Sequence, residues 1–275
     1  MPFMCRVLAA RYGGMPRRAR WESIRLALKT SPLHDRFGVE IHDMELREVT
    51  AEMGYPQIRA AFEEHSLLLL RDQHLDDESH LRVGELFGPI EVRSKAPRPA
   101  AVSPVSNVVD GDRLAGEDEH HLLNMIANQL WHTDSTFLPV PALANILVAR
   151  VLPTSGGETE LVSTRAAFAD MTDDLKDRAR AAVLSHSVVH SRRLVSDELA
   201  GDDEFAMWAD ERWRAVWPNP VNGAEALYIA SHAFAVDGLP DREATALITE
   251  LVEWSTRDDY LYCHDWIEGD VLIWD

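Results

Sequence analysis

The 275-residue sequence predicts a fold that is mainly β with flanking helices, built around one principal domain. Three observations carry that expectation. Ser66 to Leu70 is a continuous apolar run closed by charged residues, the pattern of a buried strand. From Gln129 onward strand-like stretches recur, two of them separated by the turn Pro153-Thr154-Ser155-Gly156-Gly157. Helical patterns with start signals lie around these stretches, as at Asp76-Asp77 and Thr172. The length exceeds the roughly 100–200 residues of an ordinary domain, but β-rich folds often run to about 250 as one unit.

In chain order, Phe37 to Leu46 predicts a short strand, and Thr50 to Glu64 a helix with Glu52 in its first turn. After the run at 66–70, Asp76 and Asp77 predict the cap of a helix that stops near Phe87-Gly88-Pro89. Residues 92–122 are polar, hold Pro97, Pro99 and Pro104, and show no period, so a long lid or binding loop is expected there. Strands are predicted over Leu130 to Phe137, Leu143 to Leu152, Thr159 to Val162 and Leu184 to His190. Helices are predicted over Arg165 to Met171 and over Asp173 to Ala182, the second with Thr172 as N-cap. Residues 191–215 give no clear pattern. Ala226 to Ala230 predicts a strand, Asp241 to Thr256 an amphipathic helix, and Asp270 to Trp274 a further strand.

The formal net charge of -19 argues against a nucleic-acid partner, since phosphate binding needs a basic surface. The charge is uneven. Residues 1–36 carry eight basic side chains against Glu22 and Asp35, so residues 1–32 read as a basic N-terminal extension and 33–275 as the principal domain. That basic start lacks the apolar region of a secretory signal. With Cys5 and Cys263 as the two cysteines, neither a disulfide framework nor a cysteine metal site is expected, and a reducing cytoplasm fits. No apolar run reaches the ~18 residues of a membrane span; even Ala142 to Leu152 is broken by Arg150.

The segment Asn128-Gln129-Leu130-Trp131-His132-Thr133-Asp134-Ser135-Thr136-Phe137 is the most informative. On a strand, positions i and i+2 share a face, so His132 and Asp134 would aim an imidazole and a carboxylate at one point. That supplies two members of the 2-His-1-carboxylate set that suits non-haem Fe(II) oxygenases. Alone the triplet is weak, because His74-Leu75-Asp76 repeats it where Asp76 is better explained as a helix cap. His186, His190 and His264 fall on strand patterns and are expected to be structural. His120-His121 is not expected to share one metal. Trp131 and Phe137 are expected to pack.

Several motifs occur together and in order: Leu67-Leu68-Leu69-Leu70-Arg71-Asp72-Gln73, Leu86-Phe87-Gly88-Pro89-Ile90-Glu91, Ala127 to Phe137, Pro153 to Glu160, Thr164-Arg165-Ala166-Ala167-Phe168, His232 to Pro240, and Gly269 to Asp275. Over roughly Leu33 to Asp275 the chain resembles the TauD/TfdA family, named for taurine and 2,4-dichlorophenoxyacetate dioxygenases. The herbicide-cleaving branch is the closer match. The resemblance implies a double-stranded β-helix, the cupin-like jelly roll, with Fe(II) as metal and 2-oxoglutarate and O2 as cosubstrates. It implies a small anionic organic substrate, with aryloxyalkanoate ether cleavage to a phenol and glyoxylate as the specific expectation. A homo-oligomer is compatible with it.

Residue by residue, the resemblance implies that His132 and Asp134 ligate Fe(II), and that the Thr159 hydroxyl contacts a 2-oxoglutarate carboxylate. Asn128, four residues before His132, and His232, in Ser231-His232-Ala233, are implied substrate contacts; Lys95, with Arg98, would attract an anion from the expected lid. Read from the residues alone, Thr159 opens a strand, His232 is a satisfied core histidine, and Lys95 is a solvated loop charge. In the family, a histidine ligand and a 2-oxoglutarate-binding arginine follow the strand that ends in Trp-Asp. Both, with the closing strands, are therefore expected beyond residue 275, and the 275-residue chain is expected to bind Fe(II) and 2-oxoglutarate poorly. The stretch Pro218-Asn219-Pro220-Val221-Asn222-Gly223 is shorter than the family's and lacks its usual histidine. Two alternatives stay open: a sulfonate or sulfate-ester dioxygenase of the same family, and an inactive β-barrel that binds a small anion or a partner.

Overall fold

The computed structural model describes residues 28–91, 102–109, 113–116 and 119–275. Most of the basic extension, together with Lys95 and Arg98, lies outside the described residues. Strands β1 (Thr30–Pro32) and β2 (Val39–Ile41) form an antiparallel pair that registers Thr30 with Ile41, so paired structure begins slightly before residue 33. Helix α1 (Tyr55–His65) starts after Gly54, whose φ of 84° favours glycine, and carries Pro in its first turn. Strand β3 (Leu67–Leu70) follows, then helix α2 (Asp77–Phe87). Asp76 caps α2 as expected, its carboxylate accepting from Ser79 N at 2.9 Å.

A small hairpin, β4 (Val108–Val109) and β5 (Arg113–Leu114), and helix α3 (His120–Ala127) occupy part of the expected loop region. Next come β6 (Asn145–Val148), β7 (Thr159–Val162), α4 (Thr164–Asp170) and α5 (Asp173–Ala181). The Thr172 hydroxyl caps α5 by accepting from Leu175 N. Strand β8 (Val183–His186) then gives way to three short helices, α6 (Val188–Arg193), α7 (Asp197–Ala200) and α8 (Asp203–Ala206). Strands β9 (Glu211–Arg214), β10 (Val216–Pro218), β11 (Glu225–Leu227) and β12 (Ala233–Val236) lead to helix α9 (Asp241–Ser255), β13 (Leu261–His264) and β14 (Val271–Trp274).

The largest sheet has five strands in the order β1-β2-β3-β14-β6, parallel between β2 and β3 and antiparallel elsewhere. The continuous apolar run of β3 follows from burial on both faces. Leu68 and Leu70 enter one core cluster with Phe62, Val83 and Ile273, while Leu67 and Leu69 enter another with Phe37 and Leu272. Each fully buried leucine contributes about 1.5–3 kcal/mol of burial free energy. The remaining strands form the sheet β12-β8-β9 and the pairs β13-β7 and β10-β11. Helix α9 covers another core cluster through Ala244, Leu247 and Leu251.

Several expectations require correction. No described strand exceeds four residues, whereas α9 alone has 15, so the architecture is one of mixed sheets with helices rather than mainly β. Leu143 to Leu152 contracts to β6, because only 145–148 register with β14. Leu184 to His190 splits after His186, where pairing to β9 ends, and His190 is helical. Leu130 to Phe137 is not a strand at all.

Candidate active site

Asn128 ends helix α3 instead of opening a strand; its N–H donates to Asn124 O at 3.2 Å and Met125 O at 3.1 Å. Asn128 and His132 therefore do not share a strand. Residues 134–137 form a turn, with Ser135 at φ 63°. The segment's polar groups are met by side chains and scattered backbone bonds rather than by a ladder. Ser231 N donates to Trp131 O at 2.9 Å, Thr133 Oγ1 to Ile229 O at 2.8 Å, and Trp213 Nε1 to Thr136 O at 2.8 Å. A stretch rich in Ser, Thr and Asp offers the backbone such alternatives to sheet.

The two proposed ligands nevertheless converge. His132 Nε2 lies 3.6 Å from Asp134 Oδ1. His132 Nδ1 lies 2.7 Å from Leu130 O, and because a carbonyl only accepts, Nδ1 carries the hydrogen. In the neutral ring Nε2 then presents its lone pair toward a carboxylate oxygen, at a separation too long for a hydrogen bond. Two electron-pair donors facing one another suit an intervening cation. Ligand atoms ~2.1 Å from a common ion lie about 3 Å apart at a right angle and about 4 Å apart when opposed, and the observed separation falls between. A histidine whose second nitrogen is tied to a carbonyl is the usual outer-shell arrangement of a metal ligand. The side chains are 29% and 26% exposed, so the pair opens to ligands. Among the described residues no group of three His, Cys, Asp or Glu side chains completes a site.

His232 stands beside the pair. Its ring is 6.4 Å from that of His132 and nearly perpendicular to it, and 5.0 Å from Phe137. The ring is buried, and Nδ1 lies 3.1 Å from Thr136 Oγ1, so a packing role is partly met. Thr159 opens β7 after Gly156 and Gly157, both at positive φ. A Cβ on Gly157 would come 3.0 Å from the Pro153 ring, so the turn that delivers Thr159 needs glycine there. The Thr159 hydroxyl accepts from Trp266 Nε1 at 3.0 Å.

Further polar residues not singled out as site residues in the sequence lie near the 134–137 turn. Ser135 Oγ donates to Glu91 Oε2 at 2.5 Å. Burial pushes the Tyr228 phenol well above its ordinary range, helped by the Glu91 and Asp134 carboxylates. The Tyr228 hydroxyl and both nitrogens of His186 are buried without a hydrogen-bond partner among the described residues, and the two rings lie 6.1 Å apart. Burial pushes His186 down to about 4. His186 lies on a strand as expected, no local pattern marks Tyr228, and distant strands create the burial of both.

The competing histidines have other partners. His120 pairs with Asp202 at 2.9 Å, while His121 Nε2 lies 2.6 Å from Ser106 O. His74 pairs with Asp72 at 3.0 Å. His264 is buried against Asp270, Nε2 to Oδ2 at 3.0 Å. A cavity of about 350 Å3 lined by Arg36, Phe37, Ser163 and Arg165 includes neither His132 nor Asp134.

The 2,4-dichlorophenoxyacetate dioxygenase of Cupriavidus pinatubonensis, described as alpha-ketoglutarate-dependent, is 31% identical over 257 residues, covering 91% of this chain and 90% of its own. An alpha-ketoglutarate-dependent sulfate ester dioxygenase of Pseudomonas putida is 29% identical, covering 91% of this chain and 82% of its own. The crystal structure of AAD-2 in complex with Mn(II) and N-oxalylglycine superposes with a TM-score of 0.83 at 28% identity, covering 90% of this chain and 88% of that one. Residues 29–275 match the model described as "Taurine catabolism dioxygenase TauD, TfdA family". The chain therefore belongs to the TauD/TfdA family of dioxygenases.

Proposed function

We propose that this protein is an Fe(II)- and 2-oxoglutarate-dependent dioxygenase that hydroxylates a small anionic organic molecule, with aryloxyalkanoates as the best-fitting class. The observation that carries the reading is the opposed pair: the His132 Nε2 lone pair facing Asp134 Oδ1, with Nδ1 tied to the Leu130 carbonyl. When bound, iron and 2-oxoglutarate supply oxidation of a C–H bond by O2, with succinate and CO2 as the other products. His132 and Asp134 would hold the metal, and a further donor would come from outside the described residues. The Leu130 carbonyl keeps the His132 hydrogen on Nδ1, so Nε2 stays available.

Thr159 would donate its hydroxyl to a 2-oxoglutarate carboxylate. His232, packed between Phe137 and the metal pair, would contact the substrate carboxylate. Asn128, at the end of α3 and close in sequence to His132, is the weaker candidate, and Lys95 would draw an anion from a segment outside the described residues. Hydroxylation of an aryloxyacetate at the carbon beside the ether oxygen gives a hemiacetal, which breaks into a phenol and glyoxylate. The protein's work is to set that carbon toward the metal and to keep competing oxidation out.

The test is turnover of 2,4-dichlorophenoxyacetate with 2-oxoglutarate and Fe(II), following the phenol and succinate together. Equal release of both is expected. Succinate without phenol would overturn the aryloxyalkanoate assignment. The similarity to a sulfate ester dioxygenase favours a second reading, in which the same site oxidises the carbon bearing a sulfate ester. Sulfate release from an alkyl sulfate in the same assay decides between them.

A further inference from the structure

The Thr159 hydroxyl is held by an indole, and the polarity of that bond is fixed. Trp266 Nε1 lies 3.0 Å from Thr159 Oγ1, and an indole nitrogen only donates, so the threonine oxygen accepts. A hydroxyl has one hydrogen to give and two lone pairs. With a lone pair engaged by Trp266, the O–H points away from the indole as a donor. We infer that Trp266 is a positioning residue for 2-oxoglutarate: its N–H sets the Thr159 hydroxyl so that the hydrogen is presented to the cosubstrate carboxylate. The inference rests on the Thr159 role proposed above.

The platform beneath the indole is rigid. The Trp266 and His264 ring centroids are 4.5 Å apart at 87°. His264 is buried and clamped on both nitrogens, Nδ1 at 2.9 Å from the Tyr262 hydroxyl and Nε2 at 3.0 Å from Asp270 Oδ2. Asp270 Oδ2 also accepts from Arg71 Nη1 at 2.8 Å and Ile267 N at 3.0 Å. The carboxylate must accept from Nε2, so Nδ1 of the neutral ring accepts from the tyrosine. Burial lowers the His264 pKa, in keeping with a neutral ring. Strands β7 and β13 register Thr159 directly opposite His264, and Trp266 follows two residues after β13 ends.

An indole that only stabilised the β7–β13 pair would leave cosubstrate binding alone, and the experiment separates the two roles. Calorimetric titration of 2-oxoglutarate into the full chain loaded with Mn(II), without O2, is compared for W266F, T159V, T159S and the W266F/T159V double variant. The indole N–H resonance of Trp266 is followed in the metal-free protein. W266F is expected to raise the 2-oxoglutarate Kd about five-fold with Mn(II) affinity unchanged, T159V to raise it at least as much, and the double variant to match T159V alone. The resonance should move in T159V and stay in T159S. Unchanged binding in W266F, or penalties that multiply in the double variant, would overturn the inference while leaving the Thr159 reading intact. Unchanged binding in T159V would overturn both. Should W266F fail to fold, benzothienylalanine at position 266 deletes only the N–H, and the same outcomes apply.

Discussion

One backbone oxygen decides which nitrogen of His132 is available. Since Leu130 O holds the hydrogen on Nδ1, an Asp134→Ala variant keeps the imidazole oriented but removes the opposing charge. Its Mn(II) or Fe(II) affinity is expected to fall at least ten-fold, measured by competition with a chelator, with the unfolding midpoint little changed. His186 yields a prediction of another kind. Its pKa is about 4 in the folded chain against an ordinary 6.5, so between those values the unfolded state binds the proton more readily. Stability from this residue is complete above about pH 6.5 and is lost progressively toward pH 4, by up to about 3 kcal/mol. Urea unfolding at pH 7 and pH 5 should show that loss, and His186→Phe should flatten it. The convergence of His132 and Asp134 was legible at this scale because its signal is local, an i, i+2 pairing in a motif. His186 and Tyr228 were not, because their burial is made by β8, β9 and the 228–233 segment meeting from far apart in sequence.

Among the elements, the boundaries with chemical markers were read well. Asp76 and Thr172 cap the helices they were expected to cap, and Thr159–Val162 follows its glycine turn. The strand expected over Leu130 to Phe137 failed for an instructive reason: its alternation is real enough to bring His132 and Asp134 together, yet the segment hydrogen-bonds to 229–231 and Trp213 through scattered contacts. Periodicity reports which side a side chain faces more reliably than whether a partner strand exists. The bracing of β14 against β3 can be tested directly. Asp270 is fully buried and accepts from Arg71, His264 and Ile267 N, so Asp270→Ala leaves a histidine and a guanidinium without their acceptor. Loss of about 2 kcal/mol is expected from denaturant midpoints, the range for leaving buried hydrogen-bonding groups without a partner, because Arg71 is 37% exposed and keeps Glu40 as a second partner.

The molecule as a whole carries a formal net charge of -19 while its expected substrate and 2-oxoglutarate are both anions. General repulsion then opposes encounter, and salt relieves it. KM for an anionic substrate should fall modestly between about 10 and 150 mM salt; a rise would mean that a local cationic patch dominates instead. The family was readable across nearly the whole chain, since several motifs in sequence are far more specific than one. The balance of sheet to helix was not, because apolar runs of ten residues concealed pairings of four.

The position of β14 between β3 and β6 has a consequence for biosynthesis. Leu272 registers with both Leu69 and Leu147, so an interior strand of the five-stranded sheet comes from residues made about 200 after one neighbour and about 125 after the other. A nascent chain leaves the ribosome with two apolar edges facing a gap that nothing nearby in sequence fills. Until residues 271–274 emerge, those edges are open to other chains, and a holdase-type chaperone bound there would be the natural guard.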